Sequence, residues 1–260
     1  MLKETLQLAR QYLLAPSKGA EAARQDKSLV PSLWLYSAFT AGYLIFYWLK
    51  PFDFPDKNAP FPRETLNLFF WFRVILWQPP LELAWIVFLM GLVRWFKEGS
   101  LPVRLAAGVA WAASPFILLV AYLQQEPAML LPSISKPVLA AASLAWIGLF
   151  YPLLKKTPRG DWRPLISFML GINVIGLALL IPMTAAVLMD APELFKAAQI
   201  AGGLWILGAS MLGLRVLSGL RLPRAFMAVL LSMLFQAALA LTFFGLGAVP
   251  KEILKALFYG

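Results

Sequence analysis

The sequence predicts an all-α fold, a polytopic transmembrane helix bundle of about seven spans with the N-terminus inside and the C-terminus outside. Three observations predict it. First, 60% of the 260 residues are apolar and only 14% are charged, with a mean hydropathy of +0.72, which is more oily surface than one soluble core of this length can hide. Second, the apolar residues gather into runs of about 20, the number that carries a helix rising ~1.5 Å per residue across a ~30 Å hydrocarbon layer. Third, the cationic residues sort onto alternate connections, as the excess of Lys and Arg on the cytoplasmic side of membrane proteins requires.

Taken in order, the chain opens on "MLKETLQLARQYLLAP", where Leu2, Leu6, Ala9 and Leu13 recur at helical spacing beside Lys3, Glu4, Arg10 and Gln11. This reads as an interfacial helix lying on the inner leaflet and stopped before Pro16. With the basic-polar linker that follows, it makes a cytoplasmic segment, residues 1–27. The N-terminus does not read as a signal peptide, because its apolar run begins only near Val30. The spans are expected at 28–49, 78–96, 103–123, 136–154, 164–188, 197–214 and 225–249, within one transmembrane domain, 28–260. Between the first two, "PRETLNLFFWFRVILWQPP" strings Phe69, Phe70, Trp71, Phe72 and Trp77 together, breaks them with Arg73 and ends on Pro79 and Pro80. At about a dozen residues, 66–77 is too short to cross, so it is expected as a separate outer-face element that either lies at the interface or dips in and returns.

With the N-terminus inside, the inner segments hold 15 basic and 5 acidic residues, among them Lys27, Arg94, Lys155 and Arg221, while the outer segments hold 8 of each. The inner face is therefore strongly cationic and the outer face neutral. The basic groups are split among four short segments and form no continuous stripe, which argues against nucleic acid as a partner.

One near-repeat runs through this frame. "LAWI" stands at 83–86 and 144–147 and "GLWI" at 203–206; the tryptophans lie 61 and 59 residues apart, and each leads after 17, 18 and 18 residues to Pro102, Pro164 and Pro223. The spacing suggests three hairpin units, 78–123, 136–188 and 197–249, each turning through a basic loop and returning after a helix-start proline. All three keep one orientation, unlike the inverted repeats of many secondary transporters.

Chemistry is scarce. With no Cys and no His, the chain lacks disulfides, thiolate and imidazole catalysts and the usual zinc ligands, and no cofactor, metal or catalytic residue is implied. No ionisable residue falls at mid-depth in a span, which argues against proton-driven pumping. The candidate cavity or partner contacts are Arg73 and Glu82 near the outer boundary and the mid-span amides Asn173 and Gln236, with helix-to-helix hydrogen bonding the plainer reading of the amides. Small residues four apart, Ala106 with Ala110, Ala110 with Ser114, Ala209 with Gly213, offer close helix approach, and Pro115 and Pro182 should kink their spans.

The stretch "ARQYLLAPSKGAEAARQDKSLVPSLWLYSAF", with its helix, "AP" break, basic-polar linker and entry into the first span, resembles the start of bacterial members of the Yip family of multi-pass membrane proteins. "VRWFKEGSLPVRLAAGVAWAASPFILL" and "LWILGASMLGLRVLSGLRLPRAFMAVLL" are similar in style, so the likeness covers about half the chain. Seven spans exceed the family's usual five or so, and the acidic "DLYGP"-type motif of its eukaryotic trafficking members is missing, so a Rab-GTPase partner does not carry over. The resemblance implies a non-enzymatic component of the bacterial inner membrane, in some cases associated with ABC-type exporters. Three functions stay open: an accessory or scaffold subunit contacting the bilayer and other membrane proteins; a small-molecule or lipid transporter with a cavity near Arg73, Pro79, Pro80 and Glu82; and a membrane enzyme using Asp53, Asp56 and Glu82.

Overall fold

The computed structural model describes residues 2–51, 54–55, 67–123, 135–155 and 162–259. Among them every regular element is a helix, and seven helical spans are long and apolar enough to cross a membrane. The chain is an integral membrane protein. In chain order the helices are α1 (Leu2–Leu14), α2 (Pro16–Ala23), α3 (Leu29–Leu49), α4 (Leu68–Lys97), α5 (Leu101–Leu123), α6 (Lys136–Gly148), α7 (Tyr151–Lys155), α8 (Trp162–Gly171), α9 (Val174–Leu188), α10 (Pro192–Ser218), α11 (Leu222–Gly245) and α12 (Lys251–Tyr259). Helices α6 with α7 and α8 with α9 each make one span. The short helix α12 carries no sequence expectation.

Prolines mark many of the starts. Pro16 and Pro192 open α2 and α10, and Pro102, Pro164 and Pro223 fall in the first turns of α5, α8 and α11. A first turn has no internal acceptor for their missing N–H, so the substitution costs nothing there. Pro16 therefore both stops α1 and begins α2, and the polar stretch expected as a linker is helical through Ala23.

The aromatic segment 66–77 is corrected. It is neither a separate interfacial helix nor a re-entrant one, because from Leu68 it runs unbroken into the second span as α4, with Pro79 and Pro80 inside the helix. Two interior prolines remove two backbone bonds, but leaving the helix at membrane depth would orphan many more. At 30 residues α4 is ~45 Å long against a ~30 Å hydrocarbon layer. The surplus of about ten residues matches the aromatic run, which becomes the helix's own extension.

The chain divides into two compact units, residues 1–80 with 158–226 and residues 81–157 with 227–260. In the first, α3 packs on α8 and α9, α9 on α10, and α2 on α10. Small residues let the helices close up: the Phe168 ring lies where a side chain at Gly213 would be, Leu179 fills the space at Gly202, and Leu180 that at Gly42. Helix α10 ends at Gly219, whose φ of 71° is the left-handed turn that glycine adopts without strain. The Arg24 guanidinium donates to the Val216 carbonyl at 2.7 Å, a cation on the negative end of that helix.

The second unit is built around Phe235, fully buried, with ring centroids of Phe88, Trp111, Trp146 and Phe150 between 4.7 and 5.4 Å away. Three polar bonds pin this aromatic core: Trp85 Nε1 donates to Ser232 Oγ (2.7 Å), Trp146 Nε1 to the Trp111 carbonyl (3.0 Å) and Gln236 Nε2 to the Leu81 carbonyl (3.1 Å). The turn from α4 to α5 is clasped by Arg104, which bonds the Trp95 carbonyl and lies over the Trp95 ring. Gly108 and Ala112 form the buried small face of α5, with Leu231 against Gly108, whereas Ala106 and Ala110 face outward. Ala209 and Gly213 are buried as their spacing suggested.

Candidate functional site

Polar side chains gather at the end of the first unit where α1 and α2 meet the start of α3. Helix α1 turns Leu2 and Leu6 of the expected interfacial stripe away from the bundle, on the side that a membrane surface would meet, and packs through an adjoining face. Its buried residues are Leu8, Ala9 and Tyr12, with Leu2 and Leu6 74% and 62% exposed. The reason is Tyr12: its fully buried ring fills the notches left by Gly19 and Gly171 and meets Phe168 edge-on at 5.6 Å. One large ring in a glycine notch, with its hydroxyl bonded, anchors the helix to the bundle.

The Tyr12 hydroxyl heads a buried hydroxyl chain. It lies 3.1 Å from Ser32 Oγ and donates toward the Ser167 carbonyl at 3.4 Å; Ser32 Oγ is 3.0 Å from Ser167 Oγ, and Ser167 Oγ donates to Ser28 Oγ at 2.9 Å. Ser28 Oγ in turn reaches the carbonyls of Gln25 (2.8 Å) and Ala23 (3.0 Å). The chain thus ties α1, the turn before α3, α3 and α8 together through groups that would be costly unpaired. Burial pushes the Tyr12 phenol above its ordinary value, against the lowering effect of the bonds with Ser32 and Ser167.

Beside this chain a cavity of about 200 Å³ opens to the surface, lined on α1 by Glu4, Gln7, Leu8 and Gln11 and on the far side by Ala22, Gln25, Lys27, Ser28 and Pro31. Ser28 belongs to both, its hydroxyl closing the serine chain and its surface forming the cavity wall. Sequence reasoning missed both features. Tyr12 and the three serines stand 4 to 155 residues apart, and nothing in their spacing signals that they meet.

The residues singled out by sequence lie elsewhere. Arg73 is exposed in the first part of α4, and Glu82, nine residues on, is half-buried. Asn173 sits at the junction of α8 and α9, where its Nδ2 donates to the Met169 carbonyl at 3.0 Å, closing the end of α8. Gln236 bonds α11 to the Leu81 carbonyl of α4. Asn173 and Gln236 belong to different compact units. Asp53 and Asp56 lie outside the described residues, and among those described no group of three acidic residues could hold a metal ion. The tryptophans of the near-repeat are unequal: Trp85 and Trp146 are buried in the second unit, whereas Trp205 is 40% exposed on α10.

No family model, no curated protein and no solved structure matches this chain.

Proposed function

We propose that the chain is a non-enzymatic accessory or scaffold subunit of a complex in a bacterial inner membrane, associated with an ABC-type transporter. The observation that carries this reading is how the mid-span amides are used. Asn173 and Gln236 both bond backbone carbonyls of the bundle itself, one closing α8 and the other joining α11 to α4. The first is local capping within one span and the second is helix-to-helix packing, so both uses are structural. The absence of Cys and His from the sequence supports it, and so does the likeness of the N-terminal stretch to bacterial Yip-family proteins.

Exposed apolar residues supply surface for lipid or for neighbouring subunits: Ile181 and Leu188 on α9 and Ile200 and Leu204 on α10 are 64 to 82% exposed. Purification of the tagged chain from its native membrane in mild detergent tests the proposal. Stoichiometric recovery with an ATP-binding-cassette subunit supports it. Recovery only as a monodisperse monomer, under conditions that keep a known membrane complex of the same cells intact, contradicts it.

A further inference from the structure

We propose that the cavity at the head of α3 binds a phosphoethanolamine group, a zwitterion with an ammonium at one end and a phosphate at the other. Glu4 and Lys27 both line it and carry opposite charges, while Gln7, Gln11 and Gln25 add amide donors and acceptors. Lys27 and the amide N–H groups suit the phosphate oxygens, and the Glu4 carboxylate and amide oxygens suit the ammonium. At about 200 Å³ the cavity is many times the ~10–15 Å³ that one water needs.

Its depth supports a head group. Ser28, in the cavity wall, directly precedes Leu29, the first residue of a 21-residue span, so the cavity lies where that helix leaves the hydrocarbon. This holds on whichever face of the membrane the N-terminus lies. Residues near the cavity wall are apolar and turned outward: Leu6 precedes Gln7, Val30, 53% exposed, precedes Pro31, and Trp34, 56% exposed, lies about one helical turn after it. They offer a surface for acyl chains, with Trp34 at the interfacial depth its ring favours.

The lining also discriminates. A purely anionic head group would meet the Glu4 carboxylate as a like charge, and a choline nitrogen carries no N–H for Glu4 or the amide oxygens.

The full chain, purified in mild detergent, is mixed in turn with dioctanoyl phosphatidylethanolamine, dioctanoyl phosphatidylglycerol, dioctanoyl phosphatidylcholine and free phosphoethanolamine. Adducts are counted by native mass spectrometry. The expected result is retention of the ethanolamine lipid over the other two by about tenfold, the weight of one hydrogen bond to a charged group. Glu4→Gln should erase the preference over phosphatidylglycerol, and Lys27→Gln should weaken every phosphate ligand. Lys18→Gln, outside the cavity, should change nothing. Gln7→Leu, at an exposed position of α1, is a second lining variant with the same expected loss, should Lys27→Gln not fold. Retention of the lipid but not of the free head group assigns a bilayer source, and equal retention of both assigns a soluble one. Retention independent of head group, or folded Glu4→Gln and Gln7→Leu proteins that bind like the wild type, would overturn the proposal.

Discussion

At the scale of the residue, Tyr12 holds the N-terminal helices to the bundle. Tyr12→Phe keeps the ring in its glycine notch and deletes the hydroxyl that bonds Ser32 and Ser167, so it should cost about 1 kcal/mol at pH 8. The pH dependence has a definite sign. Burial raises the phenol above its ordinary ~10, so the folded protein holds this proton more tightly than the unfolded chain does. Its contribution is fully present below pH ~10 and is lost as pH climbs through the folded value. Thermal unfolding in mild detergent should therefore show the gap between wild type and Tyr12→Phe shrinking from pH 8 to pH 11. A gap of constant size would mean that the hydroxyl is not buried.

At the scale of the element, α10 carries an internal control. Gly213 lies under the Phe168 ring, while a side chain added at Gly203 meets nothing within 4 Å. Gly213→Leu should cost about 1–3 kcal/mol by overpacking, and Gly203→Leu should be neutral or mildly stabilising because leucine forms helix better than glycine. Equal effects on unfolding would contradict the packing of α10 on α8. The tryptophans offer a similar contrast. Trp85→Phe leaves the buried Ser232 without its donor and should cost about 1–3 kcal/mol, whereas Trp205→Phe at its exposed site should change stability by less than about 0.5 kcal/mol.

These elements also show what the sequence makes legible. Hydropathy placed every span to within about five residues at each end except the start of α4, where a double proline read as a stop that the helix overrides. Periodicity found α1 and its outward leucines but not the face through which it packs, because a leucine stripe is visible in sequence and a glycine notch waiting for Tyr12 is not. The hydroxyl chain and the cavity were illegible for the same reason. Serines are unremarkable singly, and Ser28, Ser32 and Ser167 gain meaning only when α8 comes back to α3.

At the scale of the whole molecule, seven apolar helices fix the class, and the distribution of charge predicts the orientation. Helices α5, α8 and α11 each follow a basic connection, near Lys97, Lys155 and Arg221 respectively, and the positive-inside bias puts all three connections on the inner side. The absence of native cysteine makes this directly measurable, since an introduced thiol is the only one in the chain. Lys155→Cys and Lys251→Cys, at the ends of α7 and α12 that should face opposite sides, are each treated in sealed cells with a membrane-impermeant thiol reagent. Lys251→Cys should be labelled in intact cells, and Lys155→Cys only after the membrane is permeabilised. Labelling of Lys155→Cys in intact cells would contradict this orientation.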